Sequence, residues 1–433
     1  MTKTRVLGIS DKTHFAQASC RLTTIHRLLM IDPMKSIRRT QLILGMAIVA
    51  TLVAIAFPAG RWWTSHRRQR LMSACRQARD GRHWDELQSL AEGWSNWDPA
   101  NADPWLFLAQ AAQARYDYPA TADYLRRIPE QDPKLLPSLQ ELSALEFGPL
   151  NQPLAGEATC RRILTLEPRA TLAHQRLIQF YAMTMQRQRM VEQIESAIRN
   201  EREPPEAYVY LLLRDTLRLA NGVELNEMWL KTDPDSELFQ VARALQMPEP
   251  YEINDPATRN RQADKERQVD ELLKKYPTNL ELLAFKIERC VTLGDADCVT
   301  EHLLRAPPEA ESDSRFWRFR GWLHETNDQL NDALSAYHRA LELHPLDWFT
   351  LNRLAQVNRR LQNTAEVDRL TALVEQAGDL RHEIRKLPAV EKVTTAVLTE
   401  LEKYARGCGD EATAAALSQR LLGGPNPQMP SEK

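Results

Sequence analysis

The sequence predicts an all-α chain: a solenoid of helical hairpins preceded by one transmembrane helix. Three observations predict it. Long stretches are rich in Ala, Leu, Glu, Gln and Arg, glycine occurs only 15 times in 433 residues, and alternating strand-like runs are scarce. Prolines that follow acidic residues recur at a nearly constant step, with Pro99 and Pro133 separated by 34 residues and Pro168 following 35 later. Residues 40–60, TQLILGMAIVATLVAIAFPAG, carry no charge.

The remaining composition narrows the function classes. Apolar residues make up 43% and charged residues 26% of the chain, a globular balance. Fifty-six Lys and Arg against 58 Asp and Glu leave a net charge of −2. No global field draws the chain to nucleic acid, so the expected partner is a protein or peptide and not RNA or DNA.

Residues 1–39 form an amino-terminal tail without helical period, and MKSIRRTQLILG from Met34 reads as a second candidate start. Residues 40–60 are long enough to cross a bilayer as a helix, for which about 20 apolar residues suffice. Lys35, Arg38 and Arg39 precede the span, Arg61, Arg67, Arg68 and Arg70 follow it, and Trp62 and Trp63 fall where an interfacial aromatic belt lies. Ala54-Ile55-Ala56 fits a cleavage pattern, but the apolar run exceeds a signal-peptide core, which favours an uncleaved anchor. Orientation is nearly balanced: five Lys and Arg before the span face six after it, or three against six from Met34. The short basic start followed by an apolar run has the form of an export signal, which favours an exported or periplasmic soluble part.

Residues 61–245 read as the first half of the solenoid, with units starting near 68, 102 and 136. Its segment ADPWLFLAQAAQARYDYPATADYLRRIPEQDP places Trp105, Ala109, Leu125 and Pro133 at hairpin spacing. The step then breaks, since Pro234 and Pro277 are 43 apart. Residues 246–268 include QMPEPYEINDPATRNRQ, turn-rich and polar, and are expected to form an irregular loop or joint. Residues 269–422 form the second half, with units near 280, 314 and 348 and a capping pair at the end. Residues 423–433 are expected to be a disordered tail.

The sharpest repeat lies between Ser314 and Pro345, SRFWRFRGWLHETNDQLNDALSAYHRALELHP. Trp317, Gly321, Ala333, Tyr337, Ala340 and Pro345 are separated by 4, 12, 4, 3 and 5 residues. This pattern resembles the tetratricopeptide repeat, a helix–turn–helix unit with the same order of large and small residues. Gly321 and the alanines let the two helix backbones approach, Trp317 and Tyr337 fill space between hairpins, and Pro345 stops the second helix because it lacks an N–H. Arg320 and His324 stand where the family has Leu and Tyr. The resemblance covers roughly residues 68–422 and is weakest between 204 and 280.

That resemblance implies a membrane-anchored bacterial scaffold or adaptor that binds a protein or peptide along a concave face. The inward stripe of the first helix in each hairpin recurs in steps of three and four. It falls on Arg315, Arg318, Trp322 and Glu325 in one unit and on Phe349, Asn352, Gln356 and Arg359 in the next. Arginines, amides and aromatics together suit an acidic or carboxylate-ended segment, with Glu325 opposing it. The alternatives are an assembly or accessory factor for an exported enzyme complex, and an enzyme whose site escapes recognition.

No catalytic motif supports the enzyme reading, and no cofactor or metal is expected. GxxxxGK[ST], GxSxG and HExxH are absent. GCGDEA at 407–412 follows a helix rather than a strand, so it lacks the phosphate-cradle context. DPANAD at 98–103 has oxygens enough for a cation, but aspartate–proline is this chain's recurring helix stop. The six cysteines include no CxxC and no Cys/His group at zinc-site spacing. Cys290 and Cys298 are read as small buried residues, with a disulfide between them as the alternative.

Overall fold

The computed structural model describes Met46, residues 61–247 and residues 256–423. The expected spanning segment 40–60, apart from Met46, and the expected tail from residue 424 onward lie outside these residues. Among the described residues no helix is long and apolar enough to cross a membrane. The chain divides after Arg76 into two compact units, and the helices from residue 84 onward belong to the second.

Secondary structure among the described residues is helical throughout, without strands. Helix α1 covers residues 61–80. It is followed by α2 (Trp84–Trp97), α3 (Ala102–Ala114), α4 (Tyr118–Arg126), α5 (Leu135–Phe147), α6 (Pro153–Leu166), α7 (Thr171–Met183) and α8 (Arg187–Arg199). The middle of the chain holds α9 (Ala207–Leu213), α10 (Gly222–Leu230), α11 (Glu237–Gln246) and α12 (Pro256–Lys275). The second half runs through α13 (Leu280–Leu293), α14 (Ala296–Leu304), α15 (Ser314–Thr326), α16 (Leu330–Leu343), α17 (Trp348–Arg360), α18 (Thr364–Arg385), α19 (Thr395–Gly407) and α20 (Glu411–Leu421).

The repeat is written into the turns. In both halves, turns between paired helices reverse through one residue in the left-handed region, which satisfies the last carbonyls of the helix before it. Arg82, Tyr116, Asn151 and Met185 hold this conformation at steps of 34, 35 and 34 residues. Gly294, Asp328 and Gln362 hold it at steps of 34 and 34. The helix starts are fixed with equal regularity. Asn279, Asp313 and Asp347 cap α13, α15 and α17 by accepting hydrogen bonds from backbone N–H groups two residues on. The starts expected near 280, 314 and 348 are therefore Leu280, Ser314 and Trp348.

Hairpin packing in the Ser314 unit follows from its small residue. A Cβ on Gly321 would fall 2.5 Å from Tyr337 Cε1, so α15 and α16 close only over glycine. Tyr337, Ala333 and Ala340 are fully buried. Trp317 differs from expectation: it stays half-buried, donates Nε1–H to the Glu311 carbonyl at 3.0 Å, and carries the Arg320 guanidinium over its ring at 4.5 Å. Pro345 lies just past the end of α16, as expected.

The expected irregular joint at 246–268 is corrected over its described second part, which is helix α12. Its sequence PATRNRQADKERQVDELLKK starts on a proline, contains no glycine and is dense in helix formers. Lys265 ties this helix to the preceding one. The residue is 2% exposed, and its ammonium donates to the carbonyls of Leu245 (3.1 Å) and Met247 (2.9 Å) at the end of α11.

The two halves also meet away from this connection. Short helix α9, AYVYLLL, buries Ala207 through Leu212. It belongs to one continuous apolar core with Ala173 and Leu177 of α7, Leu398 and Leu401 of α19, and Leu417 of α20. At the chain's end, Arg420 of α20 donates to the Glu203 carbonyl at 2.9 Å and pairs with its carboxylate at 3.1 Å.

Candidate functional site

The first helices of three successive hairpins, α13, α15 and α17, line a cleft of about 260 Å³. Glu288 and Val291 come from α13, Arg318, Phe319 and Trp322 from α15, and Phe349, Asn352, Arg353 and Gln356 from α17. The cleft exists because the left-handed turns return the chain every 34 residues, which places like-numbered helices side by side. Five of the seven expected groove residues share it: Arg318, Trp322, Phe349, Asn352 and Gln356. Asn352 is exposed and Gln356 and Phe349 are half-buried, whereas Trp322 is buried. Arg353 reaches Gln356 Oε1 at 3.3 Å.

Two expected groove arginines are placed differently. Arg359 is exposed and stands outside the cleft lining. Arg315 is buried and engaged: its guanidinium donates to both Glu281 oxygens (2.8 and 2.7 Å) and to both Asp313 oxygens. Arg315 stands outside the cleft lining, and Glu281 and Asp313 balance its charge. Glu325, expected to oppose an acidic segment, instead accepts the Tyr337 hydroxyl at 2.8 Å.

Arg318 lines the cleft but also belongs to a buried ionic layer behind it. Its Nη1 donates to Asp215 at 2.8 Å and to Asp347 at 2.5 Å, and Glu288 lies 3.7 Å from Nη2. Arg214 donates to Ser314 Oγ at 2.6 Å and stands 3.5 Å from Asp215. Arg187 stands 3.3 Å from Glu281, and its Nε forms no hydrogen bond. The layer joins the first half, through Arg187, Arg214 and Asp215, to the second.

Protonation states follow from burial and pairing. Burial pushes the Asp215 carboxyl up, but Arg318 and Arg214 more than offset it and hold it well below the usual carboxylate range. Burial and Arg315 act on Asp313 in the same opposed way, with the same net lowering. Burial and the neighbouring Arg214 push His344 down to about 4, so the imidazole in this layer is neutral at physiological pH.

A second cleft, of about 280 Å³, opens beside this layer, with Met185, Arg187, Gln188, Leu238, Glu281 and Asp313 among its lining. Gln188 Nε2 is buried there without a hydrogen-bond partner.

The structure pairs Cys290 with Cys298 in a disulfide, Cα atoms 5.8 Å apart, across the α13–α14 hairpin. The expectation of two separate small buried residues is corrected. His302 completes a group whose ligand-type atoms lie within 4.8 Å of one another. Sequence spacing missed this group because its members approach across a hairpin turn, not within a CxxC loop.

No family model and no curated protein matches the chain. Among solved structures, a tetratricopeptide repeat protein from Parabacteroides merdae aligns at 12% identity and a TM-score of 0.28, over 59% of this chain and 98% of that one. The human IFIT1 dimer with m7Gppp-AAAA aligns at 12% identity and a TM-score of 0.30, over 80% of this chain and 75% of that one. A monomeric IFIT1 mutant with Gppp-AAAA aligns with the same identity and TM-score over 80% and 76%. The chain's own turns, caps and Gly321–Tyr337 crossing carry the fold assignment: the described residues form tetratricopeptide-like helical hairpins.

Proposed function

We propose that the protein is a non-enzymatic scaffold that holds an extended segment of a partner protein in the α13–α15–α17 cleft. The observation that carries this reading is the cleft wall itself. Asn352 and Gln356 stand one turn apart on α17, and each amide offers a donor and an acceptor to a peptide main chain. Phe349 and Trp322 offer apolar cover for a side chain, and Arg353, partly exposed and paired only loosely with Glu325 at 3.9 Å, offers a cation for a carboxylate. Arg315 and Arg318 serve the scaffold, because their charges are already balanced by Glu281, Asp313, Asp215 and Asp347.

Attachment to a membrane through residues 40–60 is part of this reading, supported by their lack of charge. The Cys290–Cys298 disulfide supports a soluble part on the oxidising, exported side. Carbonate extraction tests the attachment: the chain should remain in the pellet.

The binding reading is tested with a photoreactive phenylalanine at position 352 and, as control, at the exposed outer position His338. Irradiation of intact membranes should give a discrete adduct at 352 that is absent at 338. Equal adducts at both positions, or none at 352, would remove the cleft as the binding surface.

A further inference from the structure

We propose that Cys290, Cys298 and His302 form a thiophilic metal site of the zinc type, open to the metal when the disulfide is reduced and closed when it forms. This site is separate from the cleft proposed above, and its test does not depend on that reading.

The geometry is a three-ligand set built by two packed helices. Cys290 sits in the last turn of α13, the left-handed Gly294 reverses the chain, and Cys298 lies in the first turn of α14. His302 follows Cys298 by four residues, which puts both side chains on one face of α14. The two sulfurs and an imidazole nitrogen lie within 4.8 Å of one another, close enough for one tetrahedral ion to reach all three after small side-chain adjustments. Two thiolates and one imidazole are a zinc donor set, and the fourth position falls to water because Cys298 is only half-buried.

His302 supplies an independent observation. Its side chain is 7% exposed, and Nδ1 is buried with no hydrogen-bond partner. Buried polar atoms are normally satisfied, so an imidazole that lies beside two sulfurs and keeps one buried nitrogen without a partner marks a position for a ligand. Two thiolates, a divalent cation and a neutral imidazole sum to zero charge, so a site this buried strands no charge.

The redox step balances. A thiol reductant transfers two electrons: the Cys290–Cys298 bond breaks, two thiols form on the protein, and the reductant's two thiols leave as a disulfide with the loss of two protons to the new protein thiols. Metal binding then releases those two protons to solvent as both sulfurs become thiolate ligands. Oxidation by a disulfide donor reverses both events and expels the ion.

The test uses the full-length chain, reduced with a water-soluble phosphine, desalted and titrated with Co²⁺ alone. The expected result is one Co²⁺ per chain, with a thiolate-to-cobalt charge-transfer band and the intense visible bands of a four-coordinate site, both lost on adding Zn²⁺. Oxidised protein should give no band. Cys290→Ser and His302→Ala should bind at least about tenfold more weakly while keeping wild-type helicity by circular dichroism. A second readout does not depend on variants: Zn²⁺ should slow alkylation of Cys290 and Cys298, mapped by mass spectrometry, and leave Cys408 unchanged. Absence of the band in reduced wild-type protein would overturn the proposal. So would a His302→Ala variant of unchanged affinity, or equal Zn²⁺ protection of all the thiols.

Discussion

Arg318 on α15 donates to Asp215, 103 residues earlier in the chain, at 2.8 Å, and both side chains are buried. The pair joins the halves of the molecule directly behind the cleft. Arg318 also holds Asp347, the capping residue of α17. Removing the guanidinium therefore leaves buried Asp347 without its counter-charge and buried Asp215 with Arg214 alone. Arg318→Ala should cost about 3–5 kcal/mol in urea unfolding, the range for breaking a buried pair from one side. Arg359→Ala, at an exposed position of the next repeat unit, should stay within about 0.5 kcal/mol. Similar costs for the two would contradict the structural role given to Arg318.

Gly321→Ala tests the hairpin crossing. The added methyl would meet the ring of Tyr337, which is fully buried and cannot swing aside. Overpacking costs about 1–3 kcal/mol, against about 1 kcal/mol regained by replacing a helical glycine. The net should be a loss of up to about 2 kcal/mol by chemical denaturation. In a Tyr337→Leu background the same change should turn neutral or stabilising. An equal loss in both backgrounds would mean that Tyr337 is not the obstacle.

Lys265→Met tests the continuity of α11 and α12. The methionine keeps the apolar stem but leaves the Leu245 and Met247 carbonyls without their donor. The expected loss is about 1–3 kcal/mol, the cost of orphaning buried acceptors. Hydrogen exchange should speed up in α11 and α12 before it does in α15. Unchanged exchange in α11 would contradict the tie.

His344 gives the fold a pH signature. Its folded pKa of about 4 lies below the ordinary value near 6.5, so the unfolded chain binds the proton first. Stability should therefore be full above about pH 6.5, fall as pH drops toward 4, and change no further through this group below that. The full effect is about 3 kcal/mol. His344→Gln should remove this part of the slope, and the difference between the two proteins isolates it from raised carboxylates such as Glu206. Parallel pH curves for the two would show that His344 is not buried as a neutral ring.

Much of the second half was legible because each signal is local. Asn279, Asp313 and Asp347 cap helices that begin one residue later, and the intervening turns recur at one period. The parts that were not legible depend on distant partners. Arg315 and Arg318 sit on the inward stripe expected of groove residues, yet Glu281 lies 34 residues and Asp215 103 residues away in sequence. Helix α12 reads as a joint because its polar surface hides the one buried lysine that anchors it. Helix α9 fits no repeat because it is buried on every side by both halves, which erases the amphipathic period. The Cys290–Cys298–His302 group needs the hairpin to bring it together.

The most direct measurement is a calorimetric titration of the peptide recovered from the position-352 adduct. It compares wild-type protein with Asn352→Ala/Gln356→Ala and with Arg359→Ala. Loss of the two amides should weaken binding at least about tenfold, the equivalent of about 1.4 kcal/mol, without lowering the unfolding midpoint. Arg359→Ala should bind as wild type does. If the amide variant binds with unchanged affinity, or if Arg359→Ala alone abolishes binding, the segment lies outside the α13–α15–α17 cleft.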